Sequence, residues 1–177
     1  MKLERPIAIV GFMGCGKSAV ARILANALNR QMLDLDDLVT LKHRRTPAEI
    51  IQQDGEGAFR MIEMIVLKGV LQEGFTGVIA LGGGAWIERG NRALLDEYKA
   101  VTVWLDVPFD VCWSRIESGD EVRPLAPTLA HARSRFDRRR ETYALASIHV
   151  RTTSDETPED IASRVKSAVA KQLHMSG

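Results

Sequence analysis

The chain has 177 residues, 45% of them apolar and 27% charged, which suits one packed core and excludes an intrinsically disordered chain. Lys and Arg number 24 against 23 Asp and Glu, and a net charge of +1 lacks the broad positive field of most nucleic-acid binders, so no nucleic-acid partner is expected. Two cysteines, Cys15 and Cys112, make no disulfide framework and point to a reducing compartment, the cytoplasm.

In chain order, the segment from Lys2 to Arg5 and the apolar run 6–13 imitate the start of a signal peptide. The run ends in Gly14-Cys15-Gly16-Lys17-Ser18, however, and not in a small-residue cleavage site. No segment approaches the roughly 18 to 20 apolar residues that span a bilayer, so no membrane role is expected. Short apolar or β-branched runs at 7–10, 32–35, 78–81, 101–105 and 148–150 predict five buried strands. Helical spacing fills the gaps, first in Val20, Ile23, Leu24, Ala27 and Leu28, later in Phe59, Ile62, Val66 and Val70. Thr46-Pro47-Ala48-Glu49 reads as a capped helix start with Gly55 as its stop. Residues 118–128 have no periodicity and read as a long exposed loop. Thr157-Pro158-Glu159-Asp160 opens the last helix, whose stripe is Ile161, Val165, Ala168, Val169 and Leu173. Strand alternating with helix predicts an α/β fold in one domain, 1–177, with a mainly parallel sheet and helices on both faces. No long apolar seam is left over, and a monomer is expected.

Gly11-Phe12-Met13-Gly14-Cys15-Gly16-Lys17-Ser18 fits G-x-x-x-x-G-K-[ST] at a strand-to-helix junction. Glycines at these positions let backbone N–H groups turn in on phosphate oxygens, and the helix N-terminus adds partial positive charge. Lys17 then bridges the β- and γ-phosphates, and Ser18 offers its hydroxyl to Mg²⁺. Asp34 and Asp36 stand two apart at a strand end, so they share a face: Asp34 for the metal shell, Asp36 for an acceptor hydroxyl. Asp36 or Asp37 serving only as a helix cap is the plainer alternative. Gly82-Gly83-Gly84 admits close approach of a small molecule, or is a tight turn. Arg60 and Glu63 are either functional or a surface i,i+3 pair. Arg133, Arg135, Arg138, Arg139 and Arg140 form a run that suits a solvated face as well as a site. Cys15, beside a helix N-terminus, is either a reactive thiol or a packed, inert one. The histidines His43, His131, His149 and His174 have no metal-ligand spacing.

Together GFMGCGKS, LDLDD, GEGAFRMIE, GGGA, VWLDVP, VRPL and RRETYALA make a chain that resembles the shikimate kinase family over nearly its whole length. The resemblance implies a three-layer P-loop fold like that of nucleoside monophosphate kinases, with sheet order 2-3-1-4-5 and a mobile lid at about 118–128 carrying Arg123. It also implies ATP and Mg²⁺ as cofactors, and phosphorylation of the 3-hydroxyl of shikimate to give shikimate 3-phosphate and ADP. Lys17, Asp36 and Arg123 are then catalytic, and Gly14, Cys15, Gly16, Lys17, Ser18, Ala19 and Arg115 meet the nucleotide. Ser18 and Asp34 hold the metal. Asp36, Arg60, Gly82, Gly83, Gly84 and Arg139 bind the acid within and around a region at about 36–63, and Glu63 orients Arg60. The chain departs from the family pattern in Arg-Pro-Leu-Ala at the lid, in a short stretch from Arg123 to Arg139, and in Ala19 after the loop serine. The alternatives are a kinase of the same fold acting on another small hydroxy acid or sugar such as gluconate, and a non-enzymatic nucleotide-binding module.

Overall fold

The computed structural model describes residues 5–119 and 128–175. Its elements in chain order are β1 (Ile7–Val10), α1 (Lys17–Leu28), β2 (Met32–Asp34), α2 (Leu35–His43), α3 (Pro47–Asp54), α4 (Glu56–Gln72), β3 (Val78–Ala80) and α5 (Arg89–Glu97). They continue with β4 (Val101–Asp106), α6 (Phe109–Glu117), α7 (Leu129–Tyr143), β5 (Ile148–Arg151) and α8 (Pro158–Met175). A short 3-10 turn, Ala85–Ile87, separates β3 from α5.

The five strands form one parallel sheet in the order β2-β3-β1-β4-β5, with β1 paired to β3 on one side and to β4 on the other. Successive residues of a strand face opposite ways, and every residue of β1, β3 and β4 is buried, so both faces at the sheet's centre are covered. The expectation of five buried strands therefore fails at the edges: β2 is only half-buried, and β5 alternates buried with exposed residues.

β2 and β3 each end one residue earlier than expected, and β4 and β5 each run one residue further. Residues 32–35 were expected as strand, but the Asp34 side chain accepts the Asp36 N–H at 3.0 Å and starts α2 at Leu35. The capping role therefore belongs to Asp34, not to Asp36 or Asp37. Leu81 lies just beyond β3, its N–H still donating to the Ile9 carbonyl. The capping box at Thr46 and Glu49 forms, and Gly55, at φ 91, both ends α3 and begins α4. Thr157 and Asp160 make the equivalent reciprocal pair at the start of α8.

From β1 the chain crosses to β2 on one side, and from β3 it crosses to β4 on the other. The change of direction leaves a crevice at the carboxyl ends of β1 and β3, where ligands of such sheets sit.

Candidate active site

The loop between β1 and α1 is shaped by main chain. Gly14 has φ 75 and lies so close to α6 that a Cβ there would stand 2.6 Å from the Cys112 carbonyl oxygen. Gly16, also left-handed, is the N-cap of α1 and offers no side-chain cap, so the first N–H groups of the helix are left for an anion. Lys17 Nζ donates to the Phe12 carbonyl at 2.9 Å, and Ser18 Oγ donates to Asp34 Oδ2. Arg115 reaches the loop from α6 and donates to the Gly14 carbonyl at 3.2 Å. These residues, with the exposed Ala19, line a cleft of about 490 Å³. Cys15 is only 1% exposed, so of its two readings the packed thiol holds and the accessible one fails. Burial likewise pushes the neighbouring Cys112 thiol up to about 12.

A second cleft of about 560 Å³ opens beside the first and is lined by Asp36, Phe59, Arg60, Glu63, Gly82, Gly83, Gly84 and Arg139, among others. Met13, Asp36, Asp37 and Gly83 line both clefts, so the two meet at the strand ends. Arg60, 12% exposed, donates to Glu63 at 2.8 Å and to Glu56 at 3.2 Å. Glu63 is 0% exposed, which overturns the reading of this pair as a surface i,i+3 contact. Burial pulls the Arg60 pKa down, but the charge and hydrogen bonds of Glu63 and Glu56 more than offset it, and the net shift is upward. Burial pushes the Glu63 carboxyl up to about 7 against the opposing attraction of Arg60.

Arg139 enters from α7, 8% exposed, and donates to the Gly83 carbonyl at 3.1 Å; the Tyr143 hydroxyl donates to the same oxygen. Burial, with repulsion from Arg135 and Arg60, lowers the Arg139 pKa. The arginine run thus divides by direction. Arg133 and Arg138 are exposed, Arg139 faces the cleft, and Arg140 grips Asp106 through two bonds of 2.8 and 3.1 Å. The glycine turn fits tightly under the guanidinium of Arg60, since a Cβ on Gly84 would fall 2.1 Å from Nη2.

The structure therefore gathers Lys17, Ser18, Asp34, Asp36, Arg60, Glu63, Gly82 to Gly84, Arg115 and Arg139 into two joined clefts. Arg123 and most of the loop at 118–128 lie outside the described residues. Glu56 went unremarked in the sequence, although its place four residues before Arg60 is the i,i+4 spacing of a helical ion pair. Its longer contact with Arg135, at 3.6 Å, ties α4 to α7.

A phosphate cradle joined to a cleft with two arginines and a carboxylate fits phosphoryl transfer to a small anionic alcohol. The family model for shikimate kinase matches residues 13–170. The chain belongs to the shikimate kinase family. A shikimate kinase from Cereibacter sphaeroides is 38% identical over 172 residues, covering 96% of this chain and 84% of that protein. The structure of an Acinetobacter baumannii shikimate kinase in complex with shikimate superimposes with a TM-score of 0.87 at 29% identity, covering 97% of this chain and 96% of that one. A gluconokinase from Sinorhizobium meliloti, with a TM-score of 0.65 and 15% identity, shares the fold alone. As a member of the shikimate kinase family, the chain is a small-molecule kinase with ATP as a substrate.

Proposed function

We propose that this kinase transfers the γ-phosphoryl group of ATP to the 3-hydroxyl of shikimate, releasing ADP and shikimate 3-phosphate. The observation that carries the reading is the convergence of Arg60 and Arg139, from separate helices, on the turn Gly82 to Gly84 beside Asp36. Two planar guanidinium groups suit one carboxylate, and the Asp36 carboxylate suits a hydroxyl next to it.

In this reading the main chain of Gly14 to Ala19 wraps the phosphates, and Arg115 flanks the nucleotide. Lys17 exchanges the Phe12 carbonyl for phosphate oxygens. Asp36 accepts a hydrogen bond from the substrate hydroxyl and takes its proton late, as the new P–O bond forms and the bond to the ADP oxygen breaks. Ser18 Oγ and Asp34 Oδ2 lie side by side, a pair of hard oxygen donors that would hold Mg²⁺ together with phosphate oxygens and water. When bound, Mg²⁺ neutralises charge on the phosphate oxygens. Arg123 is assigned to the γ-phosphate on the lid, with exclusion of water that would otherwise hydrolyse ATP. All the other groups lie on one copy of the chain, so a monomer suffices. No helix among the described residues is long and apolar enough to cross a membrane, in keeping with a cytoplasmic enzyme.

A coupled ADP-release assay with shikimate, quinate and gluconate tests the reading. ADP formation that depends on shikimate is expected, and release that shikimate does not raise would reject it. The Arg123→Ala variant should lose roughly 10³-fold in kcat or more with a smaller change in shikimate KM.

A further inference from the structure

The acid-binding cleft holds a dense set of negative groups before any substrate arrives. On α4, Arg60 already meets both Glu63 and Glu56, and Glu56 also receives Arg135 from α7. From α2, Asp36 faces the same turn: a Cβ on Gly82 would lie 2.7 Å from Glu63 Oε1 and 2.8 Å from Asp36 Oδ1, so two carboxyl groups come together over one Cα. Glu88, after the 3-10 turn, adds its charge, while Arg139 on α7 is the second cation of the cleft.

Glu63 differs from the others in having no access to water. Its Oε2 is held by Arg60, and its Oε1 is buried with no hydrogen-bond partner among the described residues. A buried, ionised oxygen without a donor is costly, whereas a protonated one is not charged and can itself donate. A substrate carboxylate docking on Arg60 brings one more negative charge close to Glu63 and removes remaining water, and both effects disfavour the ionised form.

Building on the shikimate reading above, we propose that the acid binds together with one proton, taken from solvent onto Glu63 Oε1, so that Arg60 turns its charge from Glu63 to the substrate carboxylate. Glu63 is thereby a positioning residue that acts through Arg60. Burial first, then the charges of Asp36 and Glu88, raise its carboxyl to about 7 against the pull of Arg60, so the exchange falls where neutral buffers can follow it. Because binding consumes a proton, affinity for the acid falls as pH rises, by up to about tenfold per unit.

Calorimetric titration of the full chain with shikimate, at about pH 7.5 in phosphate, HEPES and Tris, reads the proton directly. The heat should vary with the buffer's ionisation enthalpy with a slope of roughly 0.3 to 0.8 proton taken up. In Glu63→Gln the slope should vanish and the affinity should no longer depend on pH. Infrared difference spectra of the unaltered protein give a second readout, a protonated-carboxyl band that grows when shikimate is added. Shikimate heats that are the same in all three buffers between about pH 6.5 and 8.5 would overturn the proposal and leave the substrate reading standing. Uptake that persists in Glu63→Gln would also overturn it. No binding heat at all would instead strike the substrate reading itself, and the proposal with it.

Discussion

The proposed nucleotide cradle and the proposed acid-binding cleft share walls but are made in opposite ways. The cradle is a run of consecutive residues shaped by main chain, set by left-handed glycines and backed by α6. The cleft is made of side chains delivered by α2, α4 and α7 to a turn after β3, and their charges hold one another in place. A backbone site tolerates changes of residue type until a Cβ has nowhere to go. A side-chain site depends at every position on the balance of its neighbours' charges.

Substitution of one key cation on each side should separate the two regions most sharply. Lys17→Met is expected to lower kcat by roughly 10² to 10³ with little change in shikimate KM. Arg139→Ala should weaken shikimate by about 2 to 3 kcal/mol and leave the KM for ATP near its starting value. Steady-state kinetics with each substrate varied in turn measures both, and equal losses for ATP and shikimate in Arg139→Ala would break the distinction.

Next in size is the cleft's internal charge balance. The folded-state pKa of Glu63 is raised to about 7, so its favourable contribution is full below the unfolded value and is lost as pH rises through about 7. Denaturant midpoints should therefore show the unaltered protein losing roughly 2 kcal/mol relative to Glu63→Gln between about pH 5 and 8. Parallel curves for the two proteins would show that this carboxyl is ionised throughout. The smallest effect is expected from Gly84→Ala, whose methyl group displaces the guanidinium of Arg60, the far end of a flexible side chain. Shikimate KM should rise by about 1 kcal/mol in binding terms, with kcat nearly unchanged and thermal stability lowered by the disturbed Arg60–Glu63 pair.

The same contrast governs how much was legible before folding. The phosphate loop is contiguous, and its glycines, Lys17 and Ser18 announce themselves by spacing. Alternation of strand with helix was equally open to reading, because burial on both faces of β1, β3 and β4 leaves continuous apolar runs. Edge position is not written in local composition, and so the sequence alone does not separate β2 and β5 from the buried central strands. Asp34 ended its strand a residue early because a side-chain oxygen captured a backbone N–H, a competition that periodicity does not show. In the cleft, Arg60 and Glu63 have the spacing of a solvated pair, and only the packing of α4 against the glycine turn buries them. Pairing Arg60 with Arg139 came from family resemblance, since nothing in their local sequence links them. Within the arginine run, 3.6-residue geometry sends Arg139 inward and Arg138 outward.

One contact of the cradle bears on how the chain is made in the cell. Gly14 rests on the carbonyl of Cys112, and β1 pairs with both β3 and β4. At translation speeds of about 5 to 20 residues per second, the loop leaves the ribosome several seconds before the helix that braces it. A nascent polypeptide halted ahead of α6 would carry the entire nucleotide motif and still lack the buttress that shapes it. Fluorescent ATP analogues offered to stalled ribosome complexes should therefore be ignored until α6 has cleared the exit tunnel.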